Sequence, residues 1–152
     1  MLLNPGSIDK QALRSEEVFS LCVLLPLFRN MGYESVHYNH GQREFGKDII
    51  FSEHDKLGGT RNFGVQVKLG DVSGEANSEI DKLIGQANDA FKMTYLDIYS
   101  KKRKKITDLI IVISGKFKGN APQKICEKVH NKNIYFIDID KIQELIEKYL
   151  NK

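Results

Sequence analysis

Cysteine, proline and long apolar runs are all scarce in this sequence, and each scarcity excludes a class of protein. The 152 residues include two cysteines and three prolines. Cys22 and Cys126 have neither CxxC nor Cys/His zinc spacing, which predicts two buried thiols in a reducing compartment. The longest apolar run, residues 21–28, is interrupted by Pro26 and is too short to span a membrane. No signal-peptide pattern is visible, so we expect a cytoplasmic protein without a membrane partner.

Linkers and internal repeats are also absent from the sequence. The formal net charge is +3 and the pI is about 8.8. This mildly basic balance is compatible with nucleic-acid binding but is not evidence for it. Hydrophobic residues make up 41% of the chain, which at this length is enough for one buried core. We therefore predict a single domain over residues 1–152.

Hydrophobic periodicity predicts the order helix, three strands, helix, strand, helix, strand, helix. The predicted elements are a helix from about Ile8 to Met31, capped by Ser7 and kinked or split by Pro26; strands over 34–39, 47–52 and 62–69; a helix over 77–99; a strand over 108–114; a helix from Pro122; a strand over 134–138; and a helix capped by Asp140 that ends near Tyr149. The early strands suit a meander and the late ones a parallel crossover. The predicted fold is α/β, with a mixed five-stranded sheet flanked by helices.

Two neighbouring predicted strands carry polar residues that indicate a reaction. Asp48 lies at the start of one strand, and Gln66 and Lys68 share one face of the next. The Asp48 carboxylate, the Gln66 amide oxygen and the Val67 carbonyl are ligands suited to Mg²⁺, which prefers oxygen and keeps several waters. Lys68 has no acceptor atom, but it can orient a water or stabilise charge on a phosphate. We therefore predict phosphodiester hydrolysis, with Asp48, Gln66 and Lys68 as catalytic residues and a metal held by Asp48, Gln66 and Val67.

A fourth site residue is predicted on the first helix. Glu17 is the only charged residue on an otherwise apolar helical stripe. The stripe consists of Leu13, Glu17, Leu21, Leu24 and Phe28. A carboxylate that faces the core is costly unless it meets a cation or hydrogen-bond donors. We therefore predict Glu17 as a catalytic residue and metal ligand, with Glu16 as the alternative on a face that runs through Ser20.

Several segments together carry a resemblance to a known family. They are a first-helix glutamate, Gly32-Tyr33, Glu44-Phe45-Gly46-Lys47-Asp48, Gln66-Val67-Lys68, Ile84-Gly85-Gln86-Ala87, Ile113-Ser114-Gly115-Lys116-Phe117 with Ala121, and Ile134-Tyr135-Phe136-Ile137-Asp138 with Ile142 and Leu145. The set resembles the Mrr-type branch of the PD-(D/E)xK nuclease superfamily, in the variant with Gln-x-Lys, and it covers nearly the whole chain. Glu44 stands where the family more often has Asp, and we interpret it as a supporting or solvent-facing residue rather than a ligand.

The resemblance implies a restriction-endonuclease-like core and metal-dependent cleavage of double-stranded DNA by direct attack of water. Mg²⁺ is the expected cofactor, and Mn²⁺ is expected to substitute for it. The implied role is a restriction or antiviral defence effector, whose target choice comes from a homodimer, another domain or another subunit. Two alternatives stay open: a catalytically silent nucleic-acid-binding module of the same fold, and a Holliday-junction-type resolvase.

A basic run at residues 101–105 has two interpretations of equal weight. Its sequence is Lys101-Lys102-Arg103-Lys104-Lys105. It is either a solvated loop with cations near a helix C-terminus, where they are favourable, or a patch that contacts phosphates.

Overall fold

The computed structural model describes residues 8–39, 46–75, 78–130 and 133–150. The strands of these residues are, in chain order, β1 (Glu34–Tyr38), β2 (Ile49–His54), β3 (Thr60–Lys68), β4 (Val72–Ser73), β5 (Tyr95–Leu96), β6 (Arg103–Lys104), β7 (Asp108–Ile113), β8 (Phe117–Lys118) and β9 (Ile134–Ile137). The α-helices are α1 (Glu16–Phe19), α2 (Leu25–Asn30), α3 (Ser78–Lys92), α4 (Ala121–Lys128) and α5 (Ile139–Tyr149). Ser7 and Glu44, on which two of the sequence predictions depend, lie outside the described residues.

Five of the strands form one mixed sheet, in the order β1-β2-β3-β7-β9. β1, β2 and β3 are antiparallel neighbours in a meander, whereas β3, β7 and β9 run parallel to one another. All six residues of β7 are buried because both faces of this central strand are covered. The predicted α/β fold with a mixed five-stranded sheet is confirmed. Two short strand pairs that were not predicted, β4 with β8 and β5 with β6, lie outside the main sheet.

Helices cover both faces of the sheet and create two apolar cores. One face packs against α2 and α5 through residues such as Phe28 and Ile146. The other packs against α3 and α4 through residues such as Leu83 and Ile125. Each fully buried aliphatic or aromatic side chain contributes about 1.5–3 kcal/mol, so the sheet is stabilised from both sides. Within the described ranges, no helix combines the length and the apolar character needed to cross a membrane.

The N-terminal helical region is not the single helix that the periodicity predicts. A 3₁₀ turn (Lys10–Leu13) is followed by a break at Ser15, whose backbone is extended. The Ser15 hydroxyl accepts a hydrogen bond from the Val18 N–H and so acts as the N-cap of α1. α1 then continues through a π-helical segment (Ser20–Leu24) into α2. Pro26 lies in the first turn of α2. The irregularity that the sequence predicts at Pro26 is found instead in the π segment directly before this helix.

α3 ends at Lys92 rather than near Tyr99, as the spacing predicts. The chain then forms the hairpin of β5 and β6. The basic run therefore lies in and beside a hairpin, and the interpretation that places it after a long helix is wrong. Its member Lys104 forms an ion pair with Asp97, with Nζ and Oδ2 2.9 Å apart.

Two smaller predictions are also corrected by the structure. The N-cap of α5 is Asp138, whose carboxylate accepts the Lys141 N–H, rather than Asp140. Cys22 is half-buried, but Cys126 is exposed. The prediction of two buried thiols is therefore wrong for Cys126, because α4 contacts the core through other positions of the helix.

An ion pair between the buried Asp108 and the partly exposed Arg61 closes the end of the sheet where β3 and β7 begin. Asp108 is 1% exposed, and its carboxylate accepts hydrogen bonds from Arg61, from the Thr107 hydroxyl and from the Tyr135 hydroxyl. Burial alone would raise the pKa of Asp108, but the bonds from Arg61 and Thr107 outweigh it and hold the pKa below its usual value. This network joins β3, β7 and β9.

Candidate active site

A polar cleft opens at the end of the sheet where β2 begins and β3 ends. Its volume is about 150 Å³. Its lining consists of Glu16, Gly46, Asp48, Gln66, Val67, Lys68 and Gln86. Asp48, Gln66, Val67 and Lys68, which the sequence pattern placed on two neighbouring strands, therefore meet in one place, whereas Glu17 is not part of the lining.

Asp48 is held against β3 by both its backbone and its side chain. Its N–H donates to the Val65 carbonyl over 2.7 Å, and its Oδ2 accepts from the Val67 N–H, also over 2.7 Å. The N–H and C=O of a strand residue point to the same side of the strand. The Val67 carbonyl is therefore directed toward the side on which the Asp48 carboxylate lies.

Gln66 is 2% exposed, and its amide is oriented by α3. Its Nε2 donates to Oε1 of Gln86 over 2.6 Å. Its own Oε1 is buried and has no hydrogen-bond partner among the described residues. An unsatisfied buried acceptor costs about 1–3 kcal/mol, and most such groups in proteins are satisfied. This oxygen is thus an acceptor that a bound ligand would complete.

Lys68 lies on the same face of β3 as Gln66 and is partly exposed. Its carbonyl accepts from the Ser114 N–H over 3.0 Å, which anchors its backbone to β7. Within the described ranges its ammonium makes no hydrogen bond or ion pair. The charge at the mouth of the cleft is therefore available to an anion.

Glu16, not Glu17, reaches the cleft. Glu17 is exposed, so the prediction that it faces the core is wrong. The apolar stripe behind that prediction is not continuous, because Leu13 and Glu17 lie on opposite sides of the break at Ser15. Leu21, one turn further along the same stripe, is 42% exposed.

The buried face of α1 and the π segment runs through Ser20 and Val23, which are 1% and 0% exposed. Glu16 is itself exposed, but it lies one turn before Ser20 on this side of the helix and is part of the cleft lining. Glu16 and Glu17 are both in the first turn of α1, where a carboxylate is favoured by the helix dipole. Glu16 and Glu17 are thus alike in their position relative to the helix dipole, and only Glu16 is part of the cleft lining.

Two residues beside the cleft were not predicted. Lys47 is fully buried, and its Nζ donates to the carbonyls of Ala90 and Met93, over 3.0 Å each, at the end of α3. Burial lowers the pKa of Lys47 to about 8. A lysine next to a strand is usually solvated, so the pattern held no signal for it. Gln86 borders the apolar stripe of α3, and that position is the signal that could have identified it.

The oxygen atoms around the cleft fit a hard divalent cation. Across the residues that the structure describes, no three His, Cys, Asp or Glu side chains cluster as metal ligands. A cation here would depend on the Asp48 carboxylate, the unsatisfied Gln66 Oε1 and the Val67 carbonyl. Such a set of oxygen donors suits Mg²⁺ better than zinc, which takes nitrogen and sulfur.

The sheet order and the cleft at the β2–β3 end together define a restriction-endonuclease-like protein. The family model Mrr_cat, described as restriction endonuclease, matches residues 14–146. The chain belongs to this family, and the resemblance inferred from the sequence is confirmed. Membership in this family implies a DNA nuclease.

Comparison with solved structures gives distant similarities. The DNA modification-dependent restriction endonuclease AspBHI matches with a TM-score of 0.53 and 13% identity, over 91% of this chain and 33% of that chain. The MspJI restriction endonuclease in complex with a 27-mer oligonucleotide matches with a TM-score of 0.47 and 12% identity, over 90% of this chain and 29% of that chain. No curated protein matches the sequence. The AspBHI similarity shows the fold alone, and this chain spans about a third of the AspBHI length.

Proposed function

We propose that this chain is a Mg²⁺-dependent endonuclease domain that hydrolyses phosphodiester bonds of double-stranded DNA in the cleft. The observation that carries the proposal is the buried Oε1 of Gln66, which has no hydrogen-bond partner among the described residues. A glutamine with a purely structural role would satisfy both ends of its amide. Because this oxygen shares the cleft with the Asp48 carboxylate, a cation is its natural complement, and the Lys68 ammonium in the same lining is the complement of an anion such as a phosphate.

The metal-binding part of the proposal assigns three oxygen donors. The Asp48 carboxylate, the Gln66 Oε1 and the Val67 carbonyl would hold Mg²⁺, and Mn²⁺ would be accepted by the same donors. When bound, such an ion neutralises charge on a phosphate and lowers the pKa of water. Gln66 is neutral, so this set contains only one formal charge. We therefore propose a modest affinity for metal alone, completed by the DNA phosphate.

Lys68 supplies the cationic group of the site. An ammonium has three donors and no acceptor, so it can orient the attacking water and stabilise charge that develops on the phosphate oxygens. Among the described residues, the cleft lining contains no hydroxyl or thiol side chain. This composition supports direct attack by water rather than a covalent intermediate on the protein.

We propose Glu16, rather than Glu17, as the helix carboxylate of the site. Both residues lie in the first turn of α1, so replacing either one costs a similar helix-dipole contribution of about 0.3–1 kcal/mol. Glu16→Gln removes a negative charge beside the three donors and is expected to weaken metal binding in the presence of DNA, and Glu17→Gln is expected to leave it unchanged. Calorimetric titration of both variants with Mg²⁺ in the presence of DNA is the test, and equal affinities would contradict the assignment.

Cleavage of supercoiled plasmid with Mg²⁺ or Mn²⁺ tests the function. Asp48→Asn and Lys68→Met remove a charge at little change in size, and each is expected to lower the rate about 100-fold or more. Lys82→Met, at an exposed position of α3, is the matched control and should cleave as the native chain does. Cleavage that persists in the Asp48 and Lys68 variants would refute the site. A folded native chain that binds DNA but cuts with neither metal would support the silent binding module.

We also propose that target choice lies outside this chain. A cleft that contacts only phosphates does not distinguish one base sequence from another. This chain also spans only 33% of the AspBHI length. The proposed role is a restriction or antiviral defence effector in the cytoplasm, acting as a homodimer or with a recognition domain. Sedimentation of the chain with and without DNA would show whether it pairs with itself.

The basic run is a candidate for phosphate contact in this role. Lys101, Lys102, Arg103 and Lys105 are exposed, whereas Lys104 is paired with Asp97. Each phosphate contact lowers the slope of log affinity against log salt by about 0.9 on duplex DNA. Replacing the four exposed residues by Ser should therefore flatten the salt dependence, and an unchanged slope would exclude this patch.

A further inference from the structure

The Gln66 side chain has two chemically different ends, and only one of them can serve a cation. Its Oε1 is an acceptor, whereas its Nε2 is a donor that would repel a metal. A half-turn of the amide group exchanges the two ends with little change in shape. The site therefore needs something that distinguishes them.

In the observed arrangement Gln86 makes that distinction, because it turns the oxygen end of its own amide toward Gln66. This Oε1 can only accept, and it accepts a hydrogen bond from the Nε2 of Gln66 over 2.6 Å. With Gln86 in this orientation, a rotated Gln66 amide would bring two oxygens together at this distance, so the wrong end of Gln66 could face the cleft only if the Gln86 amide rotated as well. The observed arrangement leaves the Gln66 Oε1 as the buried atom with no hydrogen-bond partner among the described residues.

The Gln86 backbone is itself fixed relative to Asp48. Gly46 has a φ of +77°, and an ideal Cβ there would stand closer than 3.0 Å to the Gln86 carbonyl oxygen. Lys47 donates to the Ala90 and Met93 carbonyls at the end of the same helix. The residues that lead into Asp48 and the residue that holds Gln66 thus belong to one rigid contact between α3 and the start of β2.

We propose that Gln86 is a positioning residue that locks the Gln66 amide with its oxygen toward the cleft, for a divalent cation bound there. The inference rests on the proposed function. It adds Gln86 as the residue that orients the neutral Gln66 amide so that its oxygen can bind a cation. A carboxylate at position 66 would have two equivalent oxygens and no wrong end. The lock is therefore needed only because residue 66 is a glutamine.

Because the lock matters only when residue 66 is Gln, the effect of replacing Gln86 should depend on the residue at position 66. A merely structural role of Gln86 would not show this dependence. Mn²⁺ binding to the full chain is measured by electron paramagnetic resonance for the native chain, Gln86→Leu, Gln66→Glu and the double variant. Loss of a group that orients a metal ligand typically weakens metal binding 10–100-fold. Gln86→Leu is expected to weaken Mn²⁺ binding about tenfold when residue 66 is Gln, and to have a much smaller effect in the Gln66→Glu background.

Three measurements separate the lock from general damage to the fold. Gln86→Glu keeps an acceptor at the same place and should bind Mn²⁺ at least as tightly as the native chain. Gln123→Leu, which removes an exposed glutamine that bonds to Glu127 on its own helix, should bind Mn²⁺ as the native chain does. The Nε2 protons of Gln66 should exchange slowly in the metal-free native chain and rapidly in Gln86→Leu, as followed by nuclear magnetic resonance.

The outcomes distinguish the two proposals. A native chain that binds no Mn²⁺, with or without DNA, overturns the metal part of the proposed function, and the lock falls with it. A native chain that binds Mn²⁺ no better than Gln86→Leu overturns the lock alone. An equal loss from Gln86→Leu in the Gln66 and Gln66→Glu backgrounds also overturns the lock, because orientation would then not be the cause.

Discussion

Replacing Gly46 by Ala is the substitution for which the structure gives the sharpest expectation. Gly46 has a φ of +77°, in the left-handed region where a side chain is strained. It also lies against the Gln86 carbonyl oxygen, so close that an added Cβ would stand under 3.0 Å away. Because that oxygen belongs to a helix backbone, it has little freedom to withdraw.

The two effects can be given separate magnitudes. A left-handed backbone costs a residue with a Cβ about 1–2 kcal/mol. Overpacking against rigid backbone costs about a further 1–3 kcal/mol. Gly46→Ala should therefore lower the free energy of unfolding by about 2–5 kcal/mol. The proposed metal ligand Asp48 is two residues away, and displacement of a catalytic group by about 1 Å can cost about 100-fold in rate.

Gly58→Ala is the matched control for this prediction. Gly58 has a φ of +89° in the β2–β3 turn, and no described atom lies within 4 Å of its ideal Cβ. Its replacement should cost only the backbone term of about 1–2 kcal/mol and should leave cleavage unchanged. Urea unfolding and plasmid cleavage, measured at a temperature where both variants are folded, compare the two. Equal losses of stability, with native cleavage in both, would refute the view that the contact with Gln86 places Asp48.

Three further perturbations have defined outcomes. Lys47→Met fills a similar space but leaves the Ala90 and Met93 carbonyls without their donor, and it should lower the free energy of unfolding in urea by about 1–3 kcal/mol; native stability would contradict this. Hydrogen bonds to Asp97, led by the one from Lys104, lower its pKa from 3.8 to about 2, so its contribution of about 1 kcal/mol is complete above pH 3.8 and is lost as the pH falls through 2. Asp97→Asn should remove this acid dependence, as measured by thermal unfolding across that pH range. Arg61→Met leaves the Asp108 carboxylate buried without its cation and should cost about 3 kcal/mol; a loss that does not diminish in acid, where Asp108 is protonated, would argue against this cause.

The strands of the main sheet could be predicted because their signals are local. The uninterrupted apolar sequence of β7 and the Gly58-Gly59 turn between β2 and β3 each lie within a few residues. The end of α3 could not be predicted in this way. Helical spacing of apolar residues continues to Tyr99, and one contact at the end of the helix comes from Lys47, 43 residues earlier than its partner Ala90. Lys47 and Ala90 are too far apart in the chain for a local sequence pattern to include both.

The helix carboxylate shows how a single conformation can shift a site prediction by one residue. The stripe that favoured Glu17 assumes one regular helix from Leu13 onward. Ser15 instead adopts extended backbone, with φ −153° and ψ 160°, and the helix begins again at Glu16. Ser and Asp favour N-cap positions because their side chains bond to the backbone, so the signal for a restart was present. The sequence contained two competing signals, an N-cap at Ser15 and an apolar periodicity that runs through it, and it gave no means of deciding which one prevails.

The Arg61–Asp108 network lies at the opposite end of β3 from Lys68, seven residues of strand and therefore about 23 Å away. This network and the proposed catalytic residues thus lie at opposite ends of the same sheet. Substitutions at Arg61 are suited to making temperature-sensitive alleles, in which the protein unfolds at a raised temperature and retains native cleavage at a lower one. Such alleles would allow the proposed nuclease activity to be switched on and off within a living cell.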